Sequence, residues 1–169
     1  MKKNIKSTAY VIVFMALAIA LSPFTSIPVG VAKINPTQHF INVFLAVLVG
    51  TGWNVGAAAG VSLIRNAMGV GTLLAFPGSM IGAFFSGLLF RLTGRVTAAV
   101  CGEILGTGII APLVGSLIIA PGLMGKKIGF MALMPSFLLS SMAGGILAML
   151  VIGALEKADV IHTKPVSAS

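Results

Sequence analysis

Apolar residues in this chain run in blocks of membrane length, and polar residues gather in the short breaks between them. Crossing about 30 Å of hydrocarbon takes roughly 20 residues of helix. On that scale the pattern predicts six spans, at about 8–25, 37–50, 53–67, 73–91, 96–120 and 130–155. The breaks fall at 26–36, which holds Pro28, Gly30, Lys33 and Pro36, at Gly50-Thr51-Gly52, and at the glycine-rich NAMGVGT, 66–72. The second and third spans are short for a crossing. Tilt, extension into the loops, and a hairpin that stops short of the far side all remain open for them. Residues 156–169 read as a polar tail without fixed structure.

Composition turns this pattern into a class. The chain is 169 residues long, 57% hydrophobic and 8% charged, where a soluble domain carries about 25% charge. It fits a single integral membrane domain over 1–155, all-α, with lipid in place of water around its outer faces. The net charge of +8 is spread in short punctuations rather than gathered on one soluble face. That spread argues against nucleic-acid binding and for positive-inside anchoring. The start, MKKNIK followed by an apolar run, has the form of a signal peptide. Because further spans follow, we expect a retained first span with Lys2, Lys3 and Lys6 in the cytoplasm. Six spans then place both termini there. Lys2, Lys3, Lys6, Arg91, Arg95, Lys157 and Lys164 fall inside, and Lys33, Arg65, Lys126 and Lys127 outside. The Lys126-Lys127 pair pulls against this orientation. Cys101 reads as a small buried hydrophobe.

Ionisable and amide side chains are costly inside a membrane, so each is a candidate for function. The stretch VAKINPTQHFIN, 31–42, concentrates them: Lys33, Asn35, Thr37, Gln38, His39 and Asn42. Gln38 and His39 share a helix face with Asn42 at spacings of four and three, and Pro36 suits a helix's first turn. The group would furnish cationic, donor and acceptor atoms at an outer mouth, or simply form a wet loop and a capped helix start. Arg65-Asn66 precede the glycine loop, where Arg65 would either lid a pocket or snorkel to the interface. Glu103 is the only acid inside an apolar span and needs a partner, with Thr107 one turn on. Thr72, Ser79, Ser136, Ser140 and Ser141 are weaker cavity-lining candidates. Small residues four apart (Gly52, Gly56 and Gly60; Gly78 and Gly82; Gly102 and Gly106) mark close helix packing. His39 and His162 lie far apart with no Cys/His cluster, so no metal site is expected, and no cofactor. There is no GxxxxGK[ST] phosphate loop.

GVAKINPTQHFINVFLAVLVG, followed by SLIRNAMGVGTLLAFPGSMIGAFFSGLLFR, resembles the ThiW family over about 20–155. The most specific pieces are Lys33, Pro36-Thr37-Gln38-His39, Asn42, Arg65-Asn66, Gly69-Val70-Gly71-Thr72 and Ala75-Phe76-Pro77-Gly78-Ser79. The resemblance implies a six-helix substrate-binding S component of an energy-coupling factor (ECF) vitamin transporter. It would bind the hydroxyethylthiazole precursor of thiamine outside the cell, under a lid made by the first and third loops. It would join a transmembrane T component and two ATPase subunits, then tip in the membrane to release ligand. Ala16 and Ala20 match the AxxxA motif by which S components pack on the T component. The resemblance assigns no thiazole contacts, so Lys33, Gln38, His39, Asn42, Arg65, Asn66, Thr72, Ser79 and Glu103 are nominated on their chemistry. For a neutral thiazole, Glu103 would accept a hydrogen bond. A pyrimidine, a phosphorylated thiazole or thiamine remains an alternative ligand, and a stand-alone secondary transporter or channel an alternative class. No second catalytic group accompanies Glu103, which speaks against a membrane enzyme.

Overall fold

A computed structural model describes residues 2–30 and 32–163, with side chains from Ile5 onward. Its helices are α1 (Lys2–Thr25), α2 (Pro36–Val49), α3 (Thr51–Ala67), α4 (Ala75–Thr93), α5 (Val96–Leu123) and α6 (Phe130–Lys157). Four are long and apolar enough to cross a bilayer: α1 over Ile5–Thr25, α4, α5 and α6. α2 has 14 residues and α3 has 17. They join directly at Gly50, whose φ of 83° only glycine adopts without strain. α2 sits at the centre, touching all five other helices. Each predicted apolar segment coincides with one of these helices, with ends at most three residues off except at α1, which begins six residues before position 8, and α6 continues through Lys157, past the predicted start of the tail. Lys164 and the rest of 164–169 lie outside the described residues, as do the side chains of Lys2 and Lys3.

The 26–36 break is not simply a loop. Ile27–Val29 (β1) and Ala32–Ile34 (β2) pair antiparallel, so the all-α bundle carries one small hairpin. Ser136 Oγ donates to Val29 O at 3.1 Å and fastens the hairpin to α6. The next residues start α2: Asn35 Oδ1 accepts from Gln38 N at 3.1 Å, with Pro36 in the first turn. This cap and proline fix where α2 begins, and so where Gln38, His39 and Asn42 point.

Polarity is arranged inside out. Asn42, Asn54, Ser62, Ser79, Ser86, Glu103 and Thr107 are buried, while Phe24, Leu63, Leu117 and Leu139 face outward. Such an exterior suits hydrocarbon. Within lipid, helices gain little from hiding apolar surface and associate through packing and hydrogen bonds. The α4–α5 pair illustrates the packing: a methyl group at Gly106 would come within 2.8 Å of Ile81 O, and one at Gly102 would meet the Phe85 carbonyl. Gly60 approaches Met15 of α1, whereas Gly52 and Gly56 meet nothing within 4 Å. Cys101 is exposed on the outer face of α5 rather than buried, because Gly102 and Glu103 take the inward positions.

α5 contains two wide turns. Ala111 N donates to Gly106 O and Ala120 N to Gly115 O, each five residues back. Each wide turn ends just before a proline, Pro112 or Pro121, within a repeated G-x-x-I-I-A-P. Proline lacks an N–H and its ring clashes with the carbonyl four residues back, so widening the preceding turn relieves the conflict without breaking the helix. The buried face then steps Gly102, Gly106, Ala111, Gly115, Ala120, with the five-residue steps at the wide turns.

Candidate functional site

At the end of the bundle that carries the hairpin, a cavity of about 40 Å³ is lined from five elements. β2 and its exit supply Lys33 and Asn35, α2 supplies Gln38 and His39, and α3 supplies Arg65. The glycine loop and α4 supply Gly71, Thr72, Ala75, Gly78 and Ser79, and α6 closes the wall with Phe137 and Ser140.

The cover over this cavity is tied by polar contacts. Lys33 Nζ donates to Val70 O at 3.1 Å and to Gly69 O at 3.4 Å, clasping the hairpin to the glycine loop. Asn66 Nδ2 holds the other side of that loop, donating to Thr72 O at 3.0 Å and Ser62 O at 2.8 Å. Arg65 is buried and donates from Nη2 to Ser26 Oγ at 3.1 Å, while its Nε has no partner. Asn35 Nδ2 donates to the same Ser26 oxygen, and Asn35 N to Ser140 Oγ, at 2.8 Å each.

Behind the wall lies a second polar layer. Glu103 is fully buried and its Oε1 is 2.7 Å from His39 Nδ1, 3.0 Å from Asn42 Nδ2 and 3.1 Å from Thr107 Oγ1. Asn42 Nδ2 also donates to Ser79 O at 3.0 Å, and Asn42 Oδ1 accepts from Gln38 Nε2 at 3.1 Å. The Gln38 Oε1 and Glu103 Oε2 atoms are buried without partners. A buried polar atom left bare costs roughly 1–3 kcal/mol. Within a cavity wall, as at Gln38 and Arg65, a ligand's own polar groups can relieve it.

One comparison decides the class. The family model for the thiamine-precursor transporter protein, ThiW, matches residues 8–158, nearly the whole chain. The chain belongs to the ThiW family. It is therefore a multi-pass membrane protein, a component of a thiamine-precursor transporter. No curated protein matches it.

In this ThiW chain the nominated residues divide into two groups. Lys33, Gln38, His39, Arg65, Thr72 and Ser79 line the cavity. Asn42, Asn66 and Glu103 are absent from the wall and hold its members from behind. Arg65 does not snorkel: it turns inward under the hairpin. Of the weaker candidates, Ser140 reaches the cavity, while Ser141 Oγ donates to Leu138 O. Phe137 was missed by sequence reasoning. Its signal, an aromatic one turn before Ser140-Ser141, is faint inside an unbroken apolar run. Ala16 and Ala20 are exposed on α1, flanking buried Ala18.

Proposed function

We propose that this ThiW protein is the substrate-capture subunit of an ECF-type importer and binds the hydroxyethylthiazole precursor of thiamine. In this reading all six helices cross, both termini are cytoplasmic, and the hairpin end faces outward. A T component and two ATPase subunits drive inward delivery, with the exposed Ala16 and Ala20 offering α1 to the T component. The protein binds and releases its ligand unchanged and performs no chemistry on it.

The observation that carries this reading is the cavity itself. At roughly 10–15 Å³ per buried water, 40 Å³ holds about three or four waters, and a ligand larger than that enters as the cover tied by Lys33 gives way. Its wall mixes the Phe137 side chain with polar groups, the usual make-up of a small-molecule site. Lys33 and Arg65 both line the cavity at this end of the bundle. With two cations in the wall, a phosphorylated thiazole is the second ligand to test.

Calorimetric titration of the purified chain in detergent tests the reading. Hydroxyethylthiazole should bind saturably, at nanomolar to micromolar Kd, and His39→Ala should weaken it at least ~10-fold, as loss of a buried hydrogen-bonding group does. Preference for the phosphate ester, the pyrimidine precursor or thiamine would change the ligand and keep the transporter class. Binding of none of them by a folded, monodisperse sample would overturn the assignment of a thiazole site.

A further inference from the structure

We propose that Glu103 acts on the ligand through His39: it holds the imidazole proton on Nδ1, so that Nε2 faces the cavity as a bare acceptor for the ligand's hydroxyl group. This rests on the reading of the cavity as the thiazole-alcohol site. It gives Glu103 the role of a positioning residue instead of a ligand contact.

The hydrogen-bond roles around Glu103 are constrained one by one. Ser79 O can only accept, so the Asn42 atom 3.0 Å from it is the amide nitrogen. The same nitrogen lies 3.0 Å from Glu103 Oε1, which must therefore accept as well. Asn42 Oδ1 is committed to the Gln38 Nε2 donor at 3.1 Å, so the amide cannot turn over without losing that bond. The single hydrogen of Thr107 Oγ1 faces two acceptors, Gly78 O at 2.8 Å and Glu103 Oε1 at 3.1 Å. Every neighbour thus treats Oε1 as an acceptor, and the ring nitrogen 2.7 Å away is its donor. A neutral imidazole with its proton on Nδ1 carries a lone pair on Nε2.

That lone pair is available. His39 lines the cavity, and among the described residues Nε2 has no hydrogen-bond partner. Beside it, Gln38 Oε1 is a second acceptor without a partner, on a side chain 3% exposed. The α2 wall therefore presents acceptors, while Arg65 Nε and Lys33 present donors from α3 and β2. An alcohol O–H satisfies the α2 wall and a heteroatom lone pair can face the donors. An ether or a fully ionised phosphate ester brings no hydrogen to Nε2. The site is thereby matched to a neutral ring alcohol and set against the same molecule with its hydroxyl capped.

Nitrogen-15 NMR of the histidine-labelled full chain in lipid nanodiscs tests the tautomer directly. His162→Asn, an exposed site beyond α6, assigns the remaining signal to His39. At neutral pH we expect a proton-bearing Nδ1 and a bare Nε2 whose resonance moves when hydroxyethylthiazole is added. A proton on Nε2, with or without one on Nδ1, overturns the proposal. The methyl ether of hydroxyethylthiazole should bind ~10- to 100-fold more weakly than the alcohol, the cost of leaving a buried acceptor bare. Glu103→Gln keeps an oxygen for the Nδ1 hydrogen and should preserve that ratio, whereas Glu103→Met should collapse it. Tight and equal binding of alcohol and ether overturns the role of His39 and leaves the thiazole reading standing. Binding of neither overturns both. The alcohol–ether comparison needs no variant to fold, and the spectra need only the exposed His162→Asn.

Discussion

Gly144 of α6 sits where α2 begins. A methyl group there would meet Pro36 O and would lie 2.7 Å from Phe40 N and 2.8 Å from His39 Cβ. Gly144→Ala should push the first turn of α2 away and cost roughly 1–3 kcal/mol through overpacking. Gly153 lies two and a half turns further along the same helix with nothing within 4 Å. Gly153→Ala should instead stabilise by about 0.5–1 kcal/mol, as alanine generally does in a helix. Thermal unfolding of the two variants in detergent, with thiazole titrations alongside, separates them: only the first should lose affinity. At this scale the sequence was informative for one reason. In an apolar chain each polar side chain stands out, so Lys33, Gln38, His39, Arg65, Thr72 and Ser79 could be nominated before their surroundings were known. What could not be read was which of them face the cavity. His39 and Glu103 are separated by 64 positions, and no local spacing encodes that meeting. Phe137 was silent because one more aromatic in an apolar helix carries no contrast.

Helices are legible in this chain because lipid demands long apolar runs. The exceptions have local causes. The β1–β2 hairpin escaped notice because Pro28 and Gly30 read as loop, and strands of three residues have no period to detect. The wide turns of α5 escaped because small-residue packing was sought at spacings of four, whereas Gly106 to Ala111 and Gly115 to Ala120 are spacings of five. The hairpin's hold on the glycine loop rests on Lys33. Lys33→Ala should leave the bundle folded and release bound thiazole several-fold faster, since affinity differences among related sites lie mostly in the off-rate. Stopped-flow displacement measures that release. Hydrogen exchange should rise at Gly69–Gly71 in the same variant and stay unchanged along α4. An unaltered off-rate would mean that the clasp does not guard the cavity.

Over the whole molecule, polar interior and apolar exterior together define a protein whose solvent is lipid. Arg91 and Arg95 lie at the opposite end of α4 from Gly71, Thr72 and Ala75, which line the cavity. α2 and α3 then differ in what their shortness means. α2 is enclosed by the other five helices, so lipid never meets its length. α3 turns Trp53, Leu63 and Ile64 outward. Its 17 residues rise only ~26 Å at about 1.5 Å each, against roughly 30 Å of hydrocarbon. A bilayer meeting a short helix thins beside it, at a small cost for each ångström. In the six-span reading proposed above, the membrane around this protein is uneven, thinnest along the α3 flank. Acyl-chain length becomes a control on its stability, with melting temperature expected to fall as the lipid chains lengthen.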